Sequence, residues 1–156
     1  MDTIETGTRQ AITGRSLVQS RLFARLSARI AAEHDVDSAT AEQIMDQALA
    51  FLGACAVTTA PLSPSKTVDI GWHTFILHTR DYAEFCDRIA GRFIHHIPTD
   101  GAEEKTGAAS AWETTSAIVA AGYVVDAPMW ENTGTCSQCK NGCSDDPPPD
   151  PPSKGL

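Results

Sequence analysis

The sequence predicts an all-α fold, a compact bundle of about five helices followed by a disordered Cys/Pro-rich C-terminal tail. Three observations predict it. Apolar residues recur at spacings of three and four along most of the chain, as in helices with one buried face. Capping and breaking residues cut that pattern into segments of helical length. Strand signals are confined to short runs such as Tyr123-Val124-Val125, too little for a sheet.

The first helix is expected over Ser16 to Glu33, where Val18, Leu22, Phe23, Leu26 and Ile30 share one face. Its polar side carries Arg21, Arg25 and Arg29 at successive i+4 positions, a local basic stripe. Asp37 or Ser38 caps a second helix in which Ala41, Ile44, Met45, Ala48, Leu49, Leu52 and Cys55 repeat the periodicity, so Cys55 faces inward. Thr58 to Pro64 holds two prolines and reads as a loop, and Ser65 caps a third helix reaching about His78. A fourth helix runs from Arg80 to Ala90 with Tyr82, Phe85, Cys86 and Ile89 on one face, and Gly91 ends it in the left-handed conformation. A polar linker, residues 99–105, leads to an alanine-rich fifth helix, Ala108 to Ala121, which should pack lightly over the others. From Asp126 onward Pro128, Asn132, Gly134, Gly142 and the proline run at 147–152 argue against regular packing. This divides the chain into a helical domain, 1–125, and a flexible tail, 126–156.

The 156 residues suit a single core. A hydrophobic fraction of 42% and a charged fraction of 21% are ordinary for a soluble domain, so composition excludes neither an enzyme nor an adaptor. The net charge of −8 argues against nucleic acid, because a polyanion meets mostly repulsion. No apolar run reaches the length of a membrane span, and the first residues lack a basic stretch followed by an apolar one, so the protein is expected in the cytoplasm. Its five cysteines, an odd number, read as two buried thiols plus a reactive or ligating cluster in a reducing compartment.

Chemistry concentrates between Asp69 and His96, which holds four of the five histidines, His73, His78, His95 and His96, together with Tyr82 and Cys86. At about 100° per residue, His73 and His78 stand about 140° apart on a straight helix and cannot share an ion, whereas Asp69 and His73 are neighbours on one face. A shared site therefore needs the helix to end near Thr79, or one histidine to meet His95 or His96 folded back from the next helix. His78, Tyr82 and Cys86 form an i, i+4, i+8 stripe if the helix continues. The ligand candidates are His73, His78, Cys86 and His95 or His96, with Asp69 orienting His73 from outside the ligand set and Tyr82 as a hydrogen-bond donor. Such nitrogen and sulfur donors suit a divalent transition metal, zinc or iron. The competing reading makes the histidines neutral members of a core that includes Trp72, Phe75, Ile76, Phe85 and Ile94, with Cys86 a small buried hydrophobe.

Asp69, Trp72-His73-Thr74, Leu77-His78, Tyr82, Cys86, Gly91-Arg92 and His96 resemble the signature of the glycine-rich domain-containing protein family over roughly residues 65–96. Phe75 stands where that family usually has a further histidine, and Thr79 where it usually has proline. The resemblance implies a helical fold more strongly than any activity.

In the tail, Cys136, Cys139 and Cys143 can turn three thiolates toward one soft ion, with a fourth ligand from His95, His96 or a second chain. The same segment reads otherwise as a carrier tail that binds a partner or is modified by another enzyme, or as a tail with incidental thiols. Arg21, Arg25 and Arg29 read as a site for phosphate or an acidic protein, or as a solvated face. The leading expectation is a small metal-binding helical protein in which an ion with an open position activates water or a small substrate. The alternative is a non-enzymatic interaction or carrier protein.

Overall fold

The computed structural model describes residues 10–96 and 109–131. Among the described residues there are five α-helices: α1 Ser20–His34, α2 Ser38–Val57, α3 Lys66–Leu77, α4 Thr79–Ala90 and α5 Ala111–Ala120. No helix among the described residues is long and apolar enough to cross a membrane. The linker at 99–105 and nearly all of the tail, including its three cysteines, lie outside the described residues.

The chain is built around α2. Gln47 through Ala54 are buried without interruption, so this helix is covered on every side rather than along one stripe. It packs against α1, α3, α4, α5 and a short 3-10 turn, Gly14–Leu17. Its start is fixed by Asp37, whose carboxylate accepts the Thr40 amide at 2.7 Å. Hydrogen bonding to the Thr40 side chain, and next to this amide, holds the Asp37 carboxyl below its ordinary range.

The first helix starts four residues later than its periodicity suggests. Gly14 lies so close to α2 that an added Cβ would stand 2.0 Å from the Asp46 carbonyl oxygen. The Arg15 amide donates to the Asp46 carboxylate at 2.8 Å. This pinned turn ends at Val18 in extended conformation, and the α-helix begins only at Ser20. It ends at Asp35, a left-handed residue with φ 52°, which a short polar side chain tolerates better than most.

Ser65 caps α3 by accepting the Val68 amide at 3.0 Å, as its sequence position predicts. It also donates to the Met129 carbonyl at 2.7 Å. The helix then breaks at His78, whose φ of −87° and ψ of 69° interrupt the helical run between α3 and α4. The α5 start is displaced from Ala108 because Ser110 and Glu113 form a reciprocal capping box, with bonds of 3.1 and 2.7 Å. Only Thr114 and Ile118 of α5 are fully buried, and Trp112 remains 75% exposed, so this helix covers the core thinly.

Two features beyond α5 were not expected from local sequence. The Ile12 amide donates to the Gly122 carbonyl at 2.8 Å and the Val124 amide to the Ile12 carbonyl at 3.1 Å, a single parallel bridge in place of a strand. Regular packing also continues past Asp126: Ala127–Trp130 forms a 3-10 turn, and Trp130 is buried. The reason is Gln47, buried on α2, whose Oε1 accepts from the Asp126 amide at 2.9 Å and from Trp130 Nε1 at 2.8 Å. Its Nε2 donates to the Val124 carbonyl at 3.1 Å.

Candidate metal site

The site forms where α3 meets the segment that follows α4. Asp69 and His73 are one turn apart on α3, and His73 Nε2 lies 3.2 Å from Asp69 Oδ2. At the end of α4, Gly91 adopts φ 66°, the left-handed conformation that lets the chain reverse without a Cβ clash. Residues 93–96, outside any helix, then lead back to α3, where His96 meets Asp69. Exposure alternates along it: Ile94 and His96 lie on the covered side, and Phe93 and His95, whose rings meet, on the open one. Ile94 is buried, His95 is exposed, and His96 Nε2 reaches Asp69 Oδ1 at 2.7 Å.

Asp69, His73 and His96 thus bring one carboxylate oxygen and two ring nitrogens within 4.8 Å of one another. The two imidazoles meet edge to face, with centroids 4.2 Å apart, and the edge of Trp72 closes the inner side of His96 at 4.4 Å. Exposure falls from 59% at His73 to 32% at Asp69 and 13% at His96, so the group is most open to water at the His73 end. A neutral imidazole that donates from Nε2 leaves Nδ1 as an acceptor, and the Asp69 carboxylate has an oxygen for each histidine. The same atoms, with each ring's proton on Nδ1 instead of Nε2, make a two-histidine, one-carboxylate set, the pattern that holds iron or zinc with positions left over for water.

The other sequence candidates lie elsewhere. His78 occupies the break between α3 and α4, where its Nδ1 donates to the Thr74 carbonyl at 3.0 Å. Cys86 is completely buried in the core, and His95 packs against the Phe93 ring with centroids 4.8 Å apart. Neither joins the cluster with His73. The break at His78 also means that the stripe from His78 to Cys86 is not a face of one continuous helix. Arg21, Arg25 and Arg29 are exposed on α1, and Arg29 pairs with Glu33 at 2.7 Å. Cys136, Cys139 and Cys143 lie outside the described residues.

Tyr82 is buried behind the site. Its hydroxyl accepts from Trp72 Nε1 at 2.9 Å and donates to the Ile94 carbonyl. Burial pushes the phenol well above its ordinary pKa, with Cys86 acting in the same direction, so it stays protonated and keeps its donor. Trp72, which periodicity marks only as core material, therefore has a polar contact as well. The signal for it was its indole nitrogen, which seeks a partner when buried. Phe75 is wholly buried against Tyr82 and Phe85, so the position where the resembling family carries a further histidine belongs to the core.

No curated protein and no solved structure matches the chain. The resemblance to glycine-rich domain-containing proteins is overturned by the family model that does match, which is a different one, described as UCP032817-like. Its match runs over residues 12–118 and takes in α1 to α4, most of α5, Asp69, both clustered histidines and the Tyr82 contact behind them. With well over half of its length inside that match, the chain belongs to the UCP032817-like family.

Proposed function

We propose that this is a cytoplasmic metal-binding protein holding one divalent transition ion, zinc or iron, between Asp69, His73 and His96. The convergence of their three ligand atoms within 4.8 Å carries the reading. Asp69 is then a ligand itself. Three ligands from one side leave coordination positions toward the exposed His73, where an ion would lower the pKa of a bound water or polarise a small oxygen-bearing substrate. The free thiols of Cys55 and Cys86 suit a reducing compartment. A partner-binding role for Arg21, Arg25 and Arg29 has less support, since Arg29 is already paired with Glu33.

The test uses tag-free protein carrying Cys136→Ser, Cys139→Ser and Cys143→Ser, so that tail thiols bind nothing. After chelator treatment, calorimetric titration with Zn2+, or with Fe2+ under anaerobic conditions, should give one ion per chain. Binding should weaken sharply in His73→Ala and His96→Ala and be kept in His78→Ala and His95→Ala. At a hundredfold excess over Kd the ion should add about 2.7 kcal/mol of stability. Folded protein that takes up no ion, or takes it up equally well without His96, would remove the proposal and leave Asp69 as a structural hydrogen-bond acceptor.

A further inference from the structure

A hydroxyl in the middle of an apolar core needs an explanation, because it costs roughly 2–7 kcal/mol when its hydrogen bonds are not replaced. Tyr82 is 1% exposed, and its ring packs at 5.2 Å from both Phe75 and Phe93, contacts that phenylalanine would make equally well. What phenylalanine lacks is the bond in each direction from the oxygen. One comes from Trp72, next to His73 in sequence and edge-on to the His96 ring. The other goes to the carbonyl of Ile94, two residues before His96 on a segment that has no helix of its own to hold it. Both bonds end on the parts of the chain that carry the two imidazoles.

We propose that Tyr82 is a positioning residue of the metal site: its hydroxyl, oriented by Trp72, holds the Ile94 carbonyl and thereby sets where His96 stands relative to Asp69 and His73. This rests on the ligand set proposed above. The chain Trp72 N–H to Tyr82 O–H to Ile94 C=O points one way, each bond polarising the next. Because Ile94 and His96 are two residues apart and both on the covered side of this segment, fixing the first limits where the second can stand. Asp69 and His73 need no such help, being placed by one turn of α3.

Tyr82→Phe in the full chain, with the tail cysteines replaced by serine, tests this. Ni2+ is the probe, since it binds nitrogen and oxygen sites more tightly than Fe2+ and keeps residual affinity measurable. Loss of an outer partner of this kind typically weakens metal binding 10–100-fold. That loss is expected here with the helical circular dichroism unchanged. In a His96→Ala background, the same substitution should change the remaining affinity of Asp69 and His73 by less than about twofold, because its effect passes through His96. A general loosening of the core would weaken both backgrounds alike, and that result overturns the inference, as does wild-type affinity in folded Tyr82→Phe. Should Tyr82→Phe fail to fold, Trp72→Phe removes the other donor, and affinity must then fall in the same His96-dependent way. A parent protein that binds no Ni2+ overturns the ligand set and this inference together, whereas a parent that binds through His96 and is indifferent to Tyr82 overturns the inference alone.

Discussion

Cys55, near the end of α2, is held in a half-buried position with its carbonyl bonded to Arg92 at 2.9 Å. Burial pushes its thiol from an ordinary 9.0 up to about 12, against a smaller opposing pull from Arg92. The sign of the consequence follows from proton binding. Below pH 9.0 both folded and unfolded chains keep the proton and the group contributes no pH dependence. Between 9.0 and about 12 the unfolded chain releases a proton that the folded chain retains, so stability falls as pH rises. The slope from this thiol is at most about 1.4 kcal/mol per pH unit, and Tyr82 and Tyr123, also raised by burial, act in the same direction. Urea midpoints measured from pH 8 to 11 should therefore fall, and fall less in Cys55→Ala; an equal fall in both would show that the thiol is not buried as described. At this scale the sequence was informative about the cluster and less so about its geometry. The i, i+4 spacing places Asp69 beside His73, but which of His95 and His96 returns to them depends on the conformation of Gly91 and on how the irregular segment after it turns alternate side chains inward. Neither property has a helical period.

Each helix has its own cause, and α3 shows how closely they are fitted. Gly71 faces α2 at a point where an added Cβ would lie 2.7 Å from the Ala48 Cβ and 3.1 Å from the Ile44 carbonyl oxygen. Gly71→Ala should push α3 outward and cost about 1–3 kcal/mol, read as a lower urea midpoint at unchanged slope. Because α3 carries Asp69 and His73 while His96 is tied to Ile94, the same displacement should weaken metal binding. An unchanged midpoint would mean that the two helices are not in direct contact there. Periodicity and caps made the extents of α2, α3 and α4 legible, with Asp37, Ser65 and Gly91 in their anticipated roles. The start of α1 was hidden because it is decided by Gly14 pressing on Asp46 and Ala50, a contact between segments far apart in sequence.

Across the whole molecule, one buried amide joins regions that local patterns treat as unrelated. Gln47 binds Val124, Asp126 and Trp130, the last across 83 residues of sequence. A composition rich in proline and glycine could not reveal that Trp130 fills the core, since the partner that makes its burial favourable lies on α2. Trp130→Ala removes that ring and orphans part of the Gln47 amide, so it should cost about 3–5 kcal/mol in denaturant unfolding. A loss below about 1 kcal/mol would place Trp130 outside the core. The bridge between Ile12 and Tyr123 has a further consequence for how the protein is made. Ribosomes add about 5–20 residues per second, so the Ile12 backbone emerges on the order of ten seconds before Gly122 and Val124 exist to bind it. Through that interval the nascent helices lack the closing segment, and the apolar side of α2 that it will cover is available to a chaperone.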